Sequence, residues 1–106
     1  MGHDFGLVEL DGNAALWWLT VNGSNVPTAP DTTPTFSVYE ADQDSAMTNG
    51  SGVSVTGPVN SQTGFYRKSH SAASADGYER GKRYVVKLNY AISSTNYSIL
   101  GYFTVV

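Results

Sequence analysis

Apolar and polar residues alternate most cleanly between Tyr84 and Tyr90. Tyr84, Val86, Leu88 and Tyr90 fall on one side of a period-two pattern, and Val85, Lys87 and Asn89 on the other. That period belongs to a strand with one buried face. The stretch Thr63–Leu88 around it reads as strand, turn, strand, a hairpin-like pair. Gly64 opens its first strand through Phe65 and Tyr66, and Asp76-Gly77 supplies the turn, because glycine takes positive φ without steric cost.

The same reading places further strands along the chain. Ala14–Asn22 (AALWWLTVN) is rich in aromatic and β-branched residues. Trp17, Leu19 and Val21 form its wholly apolar face and are assigned to the core, with Leu16, Trp18 and Thr20 opposite. Trp18 is then either covered by the N-terminal segment or exposed as an interface anchor. Gly23–Pro34 carries three prolines and reads as a crossover between sheets. Thr35–Ala41 turns Phe36 and Val38 inward and Tyr39 outward. Asp42–Gly52 is an acidic surface loop with room for a short strand near Met47, and Val53 and Val55 mark another short strand. Ile92–Asn96 is a turn, and Tyr97–Val106 is the last strand. Met1–Asn13 is an arm whose apolar Phe5, Leu7, Val8 and Leu10 are interrupted by glycines. It either pairs as an edge strand of the same domain or reaches into a neighbouring subunit.

About seven strands with regular turns and no convincing helix predict an all-β, immunoglobulin-like antiparallel β-sandwich over residues 14–106, preceded by the arm at 1–13. The predicted core is Trp17, Leu19, Phe36, Val38, Tyr84, Val86 and Leu88. A chain of 106 residues is one domain.

Charge changes the picture in one respect. Charged residues make up only 14% of the chain, against about a quarter in an average protein. The net charge is -3 and no basic stripe exists, which argues against a phosphate-tracking nucleic-acid partner. Arg67, Lys68, Arg80, Lys82 and Arg83 cluster locally, as the solvated faces of two strands or as a docking patch for an acidic surface. The Asn-x-Ser triplets at Asn22, Asn49 and Asn96 read as turn chemistry. No cysteine occurs, so thiolate chemistry is excluded. No apolar run approaches the roughly 20 residues of a membrane span, and the first residues do not resemble a secretory signal, so the chain is expected to be made in a cytoplasm.

Candidate chemistry is sparse. The histidines are His3, in the arm, and His70, beside Ser69 and Ser71. Neighbours along a strand point to opposite faces, and Gly-x-Ser-x-Gly is absent, so no triad is assigned. Asp42 and Asp44 share a loop without the pattern of an EF-hand. No catalytic, metal-binding or cofactor-binding residue is predicted, and the protein is read as a non-enzyme.

The order of motifs resembles an immunoglobulin-like domain of tailed-bacteriophage and prophage structural proteins. Those motifs are the aromatic first strand running into TVNGSNVPTAP, then Val38-Tyr39-Glu40, Thr63-Gly64, Gly77-Tyr78-x-x-Gly81-x-x-Tyr84-x-Val86, and Gly101-Tyr102-Phe103-Thr104-Val105. The chain departs from the family at Lys68 and His70, where inward residues should be apolar; a sheet edge or a covering subunit would account for this. The resemblance implies a virion structural protein in repeated copies on a symmetric particle. The first choice is a capsid decoration or cement subunit bound to the major capsid protein. A tail or fibre attachment module, or a module binding carbohydrate or a host surface, is the alternative. Expected contact residues are Phe5, Leu7, Val8 and Trp18, with Arg67, Lys68 and Arg80 at the rim.

Overall fold

Alternation along the chain is realised as seven strands: β1 (Gly2–Val8), β2 (Asn13–Leu19), β3 (Thr35–Glu40), β4 (Val53–Ser54), β5 (Phe65–Ser71), β6 (Arg83–Ile92) and β7 (Thr95–Val105). The computed structural model describes residues 2–106, so Met1 of the expected arm lies outside the described residues. One sheet has the order β1-β7-β6-β3-β4 and the other is the pair β2-β5. The all-β sandwich is therefore present, with β3, β6 and β7 pairing antiparallel as expected.

β1 is an edge strand of this domain, and it runs parallel to β7. The turn at Glu9–Gly12 carries the chain from one sheet to the other, so β1 forms no hairpin with β2 and aligns instead with the last strand. Its register shifts between Asp4 and Leu7. Gly6 sits there at φ 90, with its N–H donated to Asp4 Oδ1 at 2.7 Å. Phe5 packs over Gly101, where a β-carbon would strike the Phe5 ring and lie 2.9 Å from the His3 carbonyl.

Between the sheets lie Phe36 and Val38 of β3, Tyr84, Val86 and Leu88 of β6, and Phe103 and Val105 of β7, all at 0% exposure. These are the inward halves of period-two strands. Strand β2 reverses the expected parity. Ala14, Leu16, Trp18 and Thr20 point inward, and Trp17 and Leu19 point out. Two facts decide this. Trp18 fills the space between Phe5 and Phe36, with ring centroids at 5.9 and 5.3 Å. Thr20 tolerates full burial because its hydroxyl lies 2.8 Å from the Thr28 carbonyl and 3.3 Å from that of Gly64.

The hairpin-like reading of Thr63–Leu88 is also corrected. β5 pairs with β2, whereas β6 lies between β3 and β7, so the intervening segment crosses between sheets. Gly77 turns it at φ 98, as the Asp-Gly pair predicts. Tyr84 anchors its return by accepting the Glu79 N–H at 2.9 Å. This contact resembles the tyrosine corner of immunoglobulin domains, in which the tyrosine lies two residues before a cysteine.

Candidate docking face

The flanking bonds Thr20 N–H to Gly64 O and Ala72 N–H to Gly12 O place the hydrogen-bonded pairs of the small sheet at the even-numbered residues of β2. Trp17 and Arg67 are consequently a non-hydrogen-bonded pair, the type whose side chains approach most closely. They share the outer face with the pairs Leu19–Phe65 and Ala15–Ser69. Trp17 is 48% exposed and Leu19 41%. Phe65 is half-buried and Arg67 is exposed. Beside them runs an open groove of about 350 Å³ lined by Ala15, Leu16, Thr56, Arg67, Lys68 and Ser69.

Neither edge of this two-stranded sheet is extended by a further paired strand, but both have neighbours. On one side Arg67 and Thr56 exchange backbone hydrogen bonds at 2.9 and 3.0 Å, and the Asn49 amide donates to the Ser71 carbonyl at 2.8 Å. On the other side β1 lies alongside, with His3 edge-on to Trp17 at 4.3 Å and Phe5 against Trp18.

The expected contact residues are not brought together. Arg67 falls on this face, whereas Lys68, paired with buried Leu16, has the opposite, inward parity and only lines the groove. Leu7, 74% exposed, pairs with Thr104 and so shares the outer face of the large sheet. Val8 and Trp18 are buried in the core and present no surface, and Phe5 is half-buried against it. Trp17 takes the place expected for Trp18, because β2 has the opposite parity. Arg80 is exposed on the β5–β6 connection. There its charge joins the amide and hydroxyl of Ser74, the stronger influences, in holding the Asp11 carboxyl below its usual range. The basic cluster in the sequence is split by the crossover. Lys82 is bound by Glu40 at 2.6 Å and Glu79 at 2.8 Å, and Arg83 lies 4.8 Å from the Tyr102 ring centroid. Among the described residues, Arg67 and Lys68 have no carboxylate partner.

His70 faces inward and is buried within its own domain, so its break in the alternation needs neither a sheet edge nor a second subunit. Its Nε2 is 2.8 Å from the Tyr78 hydroxyl, which donates onward to Asn49 Oδ1 at 2.8 Å. Tyr78 therefore accepts from His70, which fixes the Nε2–H tautomer. Burial pushes the imidazole below its ordinary pKa and the Tyr78 phenol above its own. This neutral, satisfied chain ties β5, the 42–52 loop and the β5–β6 crossover together, and it contains neither serine nor carboxylate. Among the described residues no three His, Asp or Glu side chains gather as a metal site, and no helix is long and apolar enough to cross a membrane.

The outer face of the small sheet thus combines the exposed apolar Trp17 and Leu19 with one cation, Arg67. No protein-family model, no curated protein and no solved structure matches the chain.

Proposed function

We propose that this protein is a non-enzymatic structural subunit of a virus particle, a decoration or cement protein that binds the major capsid protein in repeated copies. The observation that carries the reading is the exposure of Trp17 and Leu19 side by side on the outer face of a formed sheet. Tryptophan anchors interfaces, and burying large apolar side chains already held in a rigid sheet stabilises a complex at small entropic cost. The likeness of the motif order to phage structural domains supplies the kind of particle. Purified virions should contain the chain in a fixed, high ratio to the capsid protein, counted by quantitative mass spectrometry. A ratio of a few copies per particle would favour the tail or fibre role, and absence from particles would end the virion reading.

One observation favours the glycan-binding alternative. A polar cleft of about 470 Å³ opens beside Thr33, Thr35, Asn89, Tyr97 and Ser98. Tyr97 stacks on Tyr90 there at an interplanar angle of 16°. A glycan that shifts the backbone amide resonances around Tyr97, and not those of β2, would support that role.

A further inference from the structure

We infer that Asn22 is a site of spontaneous covalent modification, where the Gly23 amide nitrogen closes on the Asn22 side chain, expels ammonia and leaves aspartate or isoaspartate. The inference is independent of the docking reading above.

The triplet Asn-Gly-Ser occurs twice, at residues 22–24 and 49–51. Glycine favours ring closure at both, because it has no side chain to obstruct its own nitrogen. The local sequence is the same in the two places, so the fold decides between them.

The turn at Asn22 is set for the reaction. Its Oδ1 accepts the Ser24 N–H at 2.9 Å and the Val26 N–H at 3.1 Å. Negative charge gathers on this oxygen as Cγ becomes tetrahedral, so the two amides act as an oxyanion hole. Among the described residues, the Gly23 N–H and the Asn22 Nδ2 have no hydrogen-bond partner, which leaves nucleophile and leaving group free. Gly23 is also exposed to the water that completes the reaction.

At Asn49 each of these groups is held. The Gly50 N–H donates to the Met47 carbonyl at 2.9 Å. Asn49 Nδ2 donates to the Ser71 carbonyl, and Oδ1 accepts the Tyr78 hydroxyl, both at 2.8 Å. Gly50 is buried and lies so close to Val38 that a β-carbon on it would be 2.8 Å from the Val38 β-carbon. Ring closure there has to wait for local opening.

The Gly23 nitrogen gives its proton to hydroxide and bonds to Asn22 Cγ. The Cγ–Nδ2 bond breaks, and the nitrogen takes a proton from water and leaves as ammonia. Water then opens the succinimide at either carbonyl. Both products carry a new carboxylate, so the chain becomes one unit more negative than its present net charge of -3. In the aspartate product that carboxylate accepts from the Ser24 and Val26 amides, and charge-assisted bonds of this kind hold the turn. Isoaspartate adds a methylene to the main chain inside the turn closed by Asn25 N–H on Asn22 O at 3.0 Å, and loosens it.

The test keeps the full chain at mildly alkaline pH, folded and in guanidinium chloride. Peptide mass spectrometry follows each asparagine by the gain of a single mass unit. In denaturant the two triplets should convert at similar rates. In the folded protein Asn22 should convert at least as fast as in denaturant. Asn49 should convert about a hundredfold more slowly, because three hydrogen bonds must open first. Gly23 lies outside the left-handed region, and a β-carbon on it would meet only the Tyr97 hydroxyl, at 3.6 Å. Gly23→Ala should therefore fold, as circular dichroism checks, and should slow Asn22 about tenfold or more without changing Asn49. Equal protection of the two asparagines in the fold, faster conversion at Asn49, or a rate at Asn22 that drops about tenfold or more on folding would overturn the inference.

Discussion

Replacing each of two adjacent tryptophans by alanine should give very different losses of stability. A buried aromatic side chain removes about 200 Å² from water, and at about 25 cal/mol per Å² this is worth about 5 kcal/mol. Trp18 is 2% exposed and packs between Phe5 and Phe36, so nearly all of that is at stake. Alanine retains about 1 kcal/mol of it. Among the described residues the Trp18 Nε1 has no hydrogen-bond partner, and deleting a buried unsatisfied donor returns about another 1 kcal/mol. Trp18→Ala should therefore cost about 3 kcal/mol, a large share of a stability that for such domains is about 5–15 kcal/mol. Trp17 is half exposed, and its truncation should cost about 1 kcal/mol. Trp18→Phe keeps an aromatic ring and loses the stranded N–H, so it should cost less than Trp18→Ala. Equilibrium urea unfolding followed by far-ultraviolet circular dichroism measures all three, with an unchanged m-value as the check on two-state behaviour. A loss for Trp17→Ala equal to or above that for Trp18→Ala would refute the parity of β2 and remove the docking face with it.

Stability should also fall with acid. The folded pKa of His70 is depressed below the unfolded value of about 6.5, so its neutral form contributes stability that is present above that value and is lost as pH falls through it towards the folded pKa. Melting temperatures from pH 7.5 to 5 should decline, and His70→Gln should flatten the decline while lowering the starting point. In the β6–β7 turn, Ser93 and Ser94 both take positive φ, at 49 and 65, under the two carboxylate oxygens of Asp31. Ser93→Asn with Ser94→Gly should stabilise by about 1 kcal/mol in thermal unfolding, because those residues enter that region at little cost. Gly101→Ala should expel Phe5 and expose the β1 amides to hydrogen exchange while the β6 amides stay protected; uniform protection would argue against the close packing of Phe5 on Gly101.

Strands β3 and β6 were legible because only one face of each is apolar, whereas β7, with Leu100 and Tyr102 opposite Ile99 and Phe103, showed its strand but not its inward face. The alternation of Tyr84 to Tyr90 admits a single register. β2 was not, since Leu16 and Trp18 are as apolar as Trp17 and Leu19, and the deciding residue was the polar Thr20. Its burial depends on carbonyls of Thr28 and Gly64 that come near only after folding. His70 was hidden for the same reason, its partners Tyr78 and Asn49 being distant in sequence. The hairpin reading of β5 and β6 failed because a turn signal shows that the chain bends, not which sheet it enters next. Arg67 and Lys68 could be picked out from their neighbours, whereas Trp17 could not until the parity of β2 was known.

The parallel alignment of β1 with β7 has a mechanical consequence. β1 starts beside Leu100 and ends beside Val105, so the Gly2 end of β1 and the Val106 end of the chain point to opposite poles. A pull applied between those poles acts along both strands and loads their hydrogen bonds together in shear, instead of opening them one at a time as a zipper. The bulge at Gly6 divides that clasp into two grips, Gly2–Asp4 and Leu7–Val8, and the stretched domain would have to release both before β7 could leave the sheet.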